Sequence, residues 1–296
     1  MNRRTTEDNN HEFQKNLYCK LNAFDLQGIT MNANRDKFTI GVEYFDLSFE
    51  EYQQVKHQDS IVYQIKGMLP FEHIKAQLIF TESLNVPLYY IWGYEDYFLL
   101  HELYRDNDKI VYKPQWMNTE QLVNFWRKHK QTIQTHPFDK NGAKTRAGKT
   151  RIDGILEANG LEWGGNIDGF IINNNKVIAI IDCISIGIAS QRNTHDLTDP
   201  KADPAIYFKK RGPKYTTWLS TIILARALNV PHLLFTLNKV DTDQEAIGLA
   251  GVDFLTREGL NYYQSIAPNQ NVVYRLDNII NTIFNLITQL KIPRVL

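Results

Sequence analysis

The chain has 296 residues, 43% of them hydrophobic, enough apolar material for one elaborated core or two of ordinary size. Lysine plus arginine equals aspartate plus glutamate at 33 each, which excludes a chain-wide field drawing it to nucleic acid or a membrane and leaves that work to local patches. No apolar run approaches the ~18 residues that span a bilayer, the polar N-terminus lacks a signal-peptide core, and two distant cysteines in apolar settings, Cys19 and Cys183, point to a reducing, cytoplasmic setting.

Taken in order, the chain begins with helical spacing from Glu12 to Leu21 and then two strand-like stretches, Phe24 to Asn32 and Lys37 to Phe45, around the turn Ala33-Asn34-Arg35-Asp36. A helix from Phe71 to Leu84 leads through Asn85-Val86-Pro87 into a buried strand from Leu88 to Trp92, with another near Tyr97 to Tyr104. After Met117 a further helix has Asn118 as cap and Gln121 three residues on.

The second half repeats this order. Helical residues from Ile152 to Ala158 precede a hairpin about Asn173-Asn174-Asn175, and a long polar loop follows. A helix from Tyr215 to Leu228 then runs through Asn229-Val230-Pro231 into a strand from Leu233 to Thr236, with another strand from Ile247 to Leu255. Local wording is shared as well: QGITMN against DGFIIN, and SLNVPLYYIW against ALNVPHLLFT. The pattern predicts a tandem duplication in which Gln27 matches Asp168 and Glu43 matches Asp182. In the tail, Leu276, Ile279, Ile280, Ile283, Phe284, Ile287 and Leu290 share one helical face, which covers the core or a second subunit.

Between the halves, residues 127–151 hold eight basic residues against one acid, net +7, leaving the rest of the chain at −7. Such a run is a solvated linker or a phosphate-contacting segment. The candidate contacts are Lys144, Arg146, Lys149 and Arg151, joined by Lys209 and Lys210 further on. The segment GAKTRAGKT does not fit a phosphate-binding P-loop, because its glycines are wrongly spaced and no apolar strand precedes it. The histidines show no zinc-ligand spacing.

The hairpin from Trp163 to Ile186 carries one carboxylate per arm. A period of two places Ile178, Ile180, Asp182 and Ile184 on one face and Ala179, Ile181 and Cys183 on the other, so Asp182 points where its neighbours are apolar. A carboxylate there must be paired, neutralised or bound to a cation. Asp168 precedes Gly169 and is either a turn former or the second member of a metal site.

Glu157, Asp168 and Asp182, in this order of elements, resemble the PD-(D/E)XK, or restriction-endonuclease-like, nucleases over about residues 151–255. That resemblance implies an α/β fold with a central mixed β-sheet flanked by helices and a Mg²⁺ (or Mn²⁺) held by Asp168 and Asp182, with Glu157 as the helix acid. The family's lysine slot holds Ile184 here, and Phe45 at the matching place in the first copy. Lys214 is the candidate replacement, with Lys209 and Lys210 behind it.

The resulting expectation is a degenerate nuclease-like domain at 1–135, a basic linker at 136–150 and a PD-(D/E)XK-like domain at 151–296. Its activity would be metal-dependent DNA endonuclease chemistry of the restriction or phage-defence type, with RNA as a second substrate class, no membrane partner and a homodimer allowed. The competing expectation is a pseudonuclease that binds nucleic acid or protein without cleaving.

Overall fold

The computed structural model describes residues 2–3, 12–57, 69–107, 109–131, 150–186, 215–238, 247–256, 259–266 and 276–295. In chain order these form β1 (Asn2–Arg3), α1 (Glu12–Leu21), β2 (Ala23–Met31), β3 (Phe38–Asp46), α2 (Phe49–His57) and α3 (Phe71–Ser83). Next come β4 (Leu88–Tyr94), β5 (Tyr97–Asp106), β6 (Lys109–Asn118), α4 (Thr119–Lys130), α5 (Arg151–Ala158), β7 (Gly165–Asn173) and β8 (Lys176–Ile186). The chain closes with α6 (Tyr215–Leu228), β9 (His232–Asn238), β10 (Ile247–Thr256), β11 (Gly259–Ile266), α7 (Leu276–Gln289) and β12 (Arg294–Val295). It divides into two compact units: unit 1 is Met1–Thr5 with Leu26–Asn166, and unit 2 is Thr6–Asp25 with Ile167–Leu296.

Each unit is α/β, a mixed sheet flanked by helices. In unit 1 the strands run β2-β3-β4-β5-β6 with only β3 and β4 parallel. In unit 2 they run β7-β8-β9-β10-β11 with only β8 and β9 parallel among these neighbours. A parallel neighbour needs a crossover, which α3 supplies in one unit and α6 in the other.

The two LNVP segments end those helices in the same way. Val86 N–H donates to Thr81 O at 3.0 Å, and Val230 N–H donates to Ala225 O at 2.9 Å. Asn85 and Asn229 take the left-handed conformation, φ 56° and 58°, which asparagine tolerates better than most residues. The proline carbonyls then start the parallel pairing, accepting from Gly41 N–H at 2.9 Å and Ile180 N–H at 3.0 Å. That sets Leu88 beside Gly41 and His232 beside Ile180.

On one face of the unit 1 sheet, Ile40, Val42, Tyr44, Tyr89 and Ile91 pack beneath α4, through Leu122, Val123 and Trp126, and α5, through Ile152, Ile155 and Leu156. In unit 2, Ala179, Ile181, Leu233 and Phe235 pack beneath α1, through Leu17 and Leu21, and α7, through Ile279, Ile283 and Leu286. A second unit 2 cluster joins Ile222 of α6 to Leu234, Ala250 and Val252. Thus α1 leads into β2 yet packs in unit 2, and α5 leads into β7 yet packs in unit 1. The division therefore does not follow positions 135 and 151: Arg151–Ala158 completes the first unit's core and Glu12–Leu21 the second's.

Several expectations hold in detail. Asn118 and Gln121 form a reciprocal capping box on α4, as Thr150 and Asp153 do on α5. The apolar face of α7 covers core, with Ile280, Phe284, Ile287 and Leu290 packed around Ile279 and Ile283. Other details differ. Ile178 sides with the α1 and α7 cluster rather than with Asp182, because a bulge sets Ile171 against Ala179 but Ile172 against Val177. Cys19 is exposed, since it falls on the outer side of α1.

Candidate functional site

Asn174 and Asn175 both have positive φ, 49° and 56°, and make the tight turn that joins β7 to β8. From there the ladder runs through Phe170 opposite Ile180 to Gly169 opposite Ile181, which brings Asp168 and Asp182 to its open end. There a side chain replaces strand pairing, because Asp168 Oδ2 accepts from the Cys183 amide at 3.0 Å. The Asp168 carbonyl accepts from the Tyr18 hydroxyl at 3.1 Å, and Gly169 leaves room for that ring.

Asp182 takes a different partner. Its Oδ2 lies 2.7 Å from Nε2 of His232, the first residue of β9, and its side chain is 15% exposed whereas the imidazole is 0% exposed. His232 Nδ1 is buried with no partner among the described residues. Both carboxylates bear on one thiol: Cys183 is pushed well up by burial first, then by the charges of Asp168 and Asp182. Burial also raises Tyr18, with Cys183 and Asp168 adding to it.

The corresponding place in unit 1 is closed. Gln27 Oε1 accepts from the Tyr44 amide at 2.8 Å, as Asp168 does from Cys183. Glu43 is 0% exposed, and its Oε1 accepts from the Gln27 amide at 3.0 Å and from Gln77 Nε2 at 2.7 Å. Gln77 Oε1 in turn accepts from the Tyr90 hydroxyl at 2.5 Å. Counting from LNVP, Gln77 of α3 corresponds to Thr221 of α6, Tyr90 to Leu234, and Leu88 to His232. The residues that seal the first acid are replaced at the matched positions of the second.

Family models, characterised proteins and solved structures gave no match to this chain.

Of the residues singled out from sequence, Asp168 and Asp182 lie at the same end of the β7–β8 ladder in unit 2, each with its own partner, while Glu157 is exposed on α5, a helix of unit 1. Arg151 is partly exposed, its guanidinium 4.0 Å from Asp96. Lys144, Arg146, Lys149, Lys209, Lys210 and Lys214 lie outside the described residues. Ile184 lies in β8 in register with Thr236 of β9. At the start of the basic run, Arg127 is buried and Lys130 is partly buried, its ammonium lowered by that burial, so these two serve the unit 1 fold.

Among the described residues no group of three or more histidine, cysteine, aspartate or glutamate side chains could hold a metal. Mg²⁺ asks less, often one or two carboxylates with water and substrate oxygens completing its shell. Asp182 meets that demand: Oδ2 is taken by His232, and Oδ1 has no hydrogen-bond partner among the described residues. Asp168 supplies a second carboxylate at the same end of the ladder. The set suits a hard, sparsely ligated cation rather than zinc.

Sequence reasoning missed His232 and Tyr18. A signal existed for the first, a histidine opening a buried strand where the other LNVP copy has leucine. Tyr18 gave none, since nothing in its helix reveals that it reaches β7.

Proposed function

We propose that the chain is a metal-dependent nuclease of the restriction-endonuclease-like kind, a tandem duplication whose second copy carries the hydrolytic site. The observation that carries the reading is the contrast between the matched acids. Glu43 is sealed by two donors at 0% exposure, and Asp182 is reachable, with one oxygen left over. The duplication is supported by the paired LNVP geometry and by the amide contacts of Gln27 and Asp168, which recur at matched positions.

Asp168 and Asp182 are the residues that would hold the Mg²⁺. Once bound, such an ion polarises a phosphate oxygen and makes a coordinated water more acidic. The chain's own share is to fix the two carboxylates at one end of a rigid hairpin and to neutralise the substrate. Lys214 is the candidate to stabilise developing charge, since isoleucine at 184 can neither donate a proton nor carry charge. Lys144, Arg146, Lys149, Arg151, Lys209 and Lys210 are assigned to the DNA backbone, where they add affinity without reading sequence. RNA is the second substrate class.

The test is cation binding followed by cleavage. Full-length protein should bind Mn²⁺, nick DNA in its presence, and lose both properties on Asp182→Ala. Undiminished Mn²⁺ uptake by that variant would overturn the assignment.

A second reading, a pseudonuclease that binds nucleic acid or protein, has one observation in its favour. Asp168 does with its carboxylate what Gln27 does with a neutral amide, so charge is not needed for that contact. DNA binding at low salt that ignores Mg²⁺ and Asp182→Ala would select this reading.

A further inference from the structure

The acid of unit 1 takes its side-chain donor from a helix, and the acid of unit 2 takes its donor from a strand. Gln77 of α3 reaches Glu43, whereas at the matching place α6 has the shorter Thr221. In its stead His232, at the head of β9, approaches Asp182 at 2.7 Å. A carboxylate that holds a cation only accepts, which leaves the shared proton on His232 Nε2. Nδ1 is buried without a partner among the described residues. A second N–H there would be an unsatisfied buried donor in a fully enclosed ring, so the tautomer with a bare Nδ1 is favoured.

We propose that His232 is a positioning residue: its Nε2–H fixes one oxygen of Asp182 and turns the other toward a divalent cation. This rests on reading Asp182 as the cation-bearing acid. Where Gln77 adds a helix donor to Glu43 in unit 1, the strand donor of unit 2 occupies one oxygen of Asp182 and leaves Oδ1 without a hydrogen-bond partner among the described residues. An imidazole that orders a ligating carboxylate from behind does the work expected of an outer-shell hydrogen-bond partner.

Two measurements on the full-length protein test the proposal. Nitrogen NMR of the histidine rings should find His232 protonated at Nε2 and bare at Nδ1, with the Nε2–H resonance changed by Asp182→Ala. Calorimetric Mn²⁺ titration should show His232→Leu, which installs the unit 1 residue, weakening affinity by about tenfold or more. His232→Gln, whose amide nitrogen can mimic Nε2–H, should rescue most of that loss, which a purely packing role would not predict. Protonation at Nδ1 instead of Nε2, or wild-type affinity in His232→Leu, overturns the proposal and leaves the nuclease reading in place. If His232 shows the expected tautomer but wild-type protein binds no Mn²⁺, the nuclease reading fails and the hydrogen bond stands without a cation to serve.

Discussion

Gln27 and Asp168 do the same structural job: the side-chain oxygen of each accepts the amide proton of the residue following the acid on the next strand, Tyr44 at 2.8 Å and Cys183 at 3.0 Å. Their carbonyls match as well, one accepting from Trp163 Nε1 at 2.8 Å and the other from the Tyr18 hydroxyl at 3.1 Å. At both places the antiparallel ladder ends and a side chain takes over an amide that β2 or β7 no longer satisfies. One of these residues is neutral and the other charged, so the hydrogen bond explains the position but not the charge of Asp168.

That difference can be separated by substitution. Asp168→Asn keeps an oxygen for the Cys183 amide and should change stability by less than about 0.5 kcal/mol, while Asp168→Ala removes it and should cost about 1–2 kcal/mol. Mn²⁺ affinity should fall in both. Urea unfolding with a parallel titration measures the two effects, and equal destabilisation by Asn and Ala would show that the amide contact carries no weight.

The glycines beside these residues make a second pair. A Cβ on Gly28 would stand 2.5 Å from Trp163 Nε1 and 2.8 Å from Val42 Cγ2, and one on Gly169 would stand 2.9 Å from the Tyr18 hydroxyl. Each alanine variant should lose about 1–3 kcal/mol through overpacking, with Gly28→Ala the worse. Adding Trp163→Leu to Gly28→Ala should cost less than the separate losses together, because the clash goes with the ring. Strict additivity in the unfolding energies would mean that the indole is not what Gly28 accommodates.

Elements whose pattern is local were legible in the sequence. The Asn-rich hairpin, the LNVP helix ends and the capping box at Asn118 each depend on a few neighbouring residues, and each forms as expected. β6 was not legible: it is an edge strand, largely exposed and interrupted by Pro114, so no alternation marks it. The placement of α1 and α5 was also hidden. An apolar stripe such as Leu17 and Leu21, or Ile152, Ile155 and Leu156, announces that a helix will be covered but not which sheet covers it. Of the candidate site, Asp182 could be read from strand alternation, while Asp168 was marked only by its place before Gly169 on the paired arm. The pairing of Asp182 with His232 joins residues fifty positions apart and depends on the β8–β9 register.

The sealed acid of unit 1 predicts a different response from its counterpart. Glu43→Gln should leave Mn²⁺ affinity and cleavage at wild-type values, because Glu43 meets Gln27 and Gln77 at 0% exposure. Gln77→Leu should destabilise by about 2–3 kcal/mol, since it strips a donor from the buried carboxyl and an acceptor from the Tyr90 hydroxyl. Thermal unfolding and the cleavage assay check these together. A loss of Mn²⁺ binding on Glu43→Gln would place the cation in the wrong unit.

His101 makes stability depend on pH. Its ring is 1% exposed, stacked on Tyr112 at 4.8 Å and edge-on to Trp92 at 4.7 Å, and neither ring nitrogen has a partner among the described residues. Burial pulls its pKa down from 6.5 to about 4. An unfolded chain takes up a proton at this residue near pH 6.5, and the folded chain does not until about pH 4. Between those values the unfolded state binds more protons, so the contribution is whole above 6.5 and is lost as pH falls toward 4, to a maximum of about 3 kcal/mol. His101→Leu removes the titration. Relative to wild type, the variant should gain stability steadily as pH is lowered from about 7 to about 4.5, whatever its offset at neutral pH. Urea unfolding at several pH values measures that difference, and one that stays flat across the range would mean that the folded protein protonates His101 as readily as the unfolded chain does.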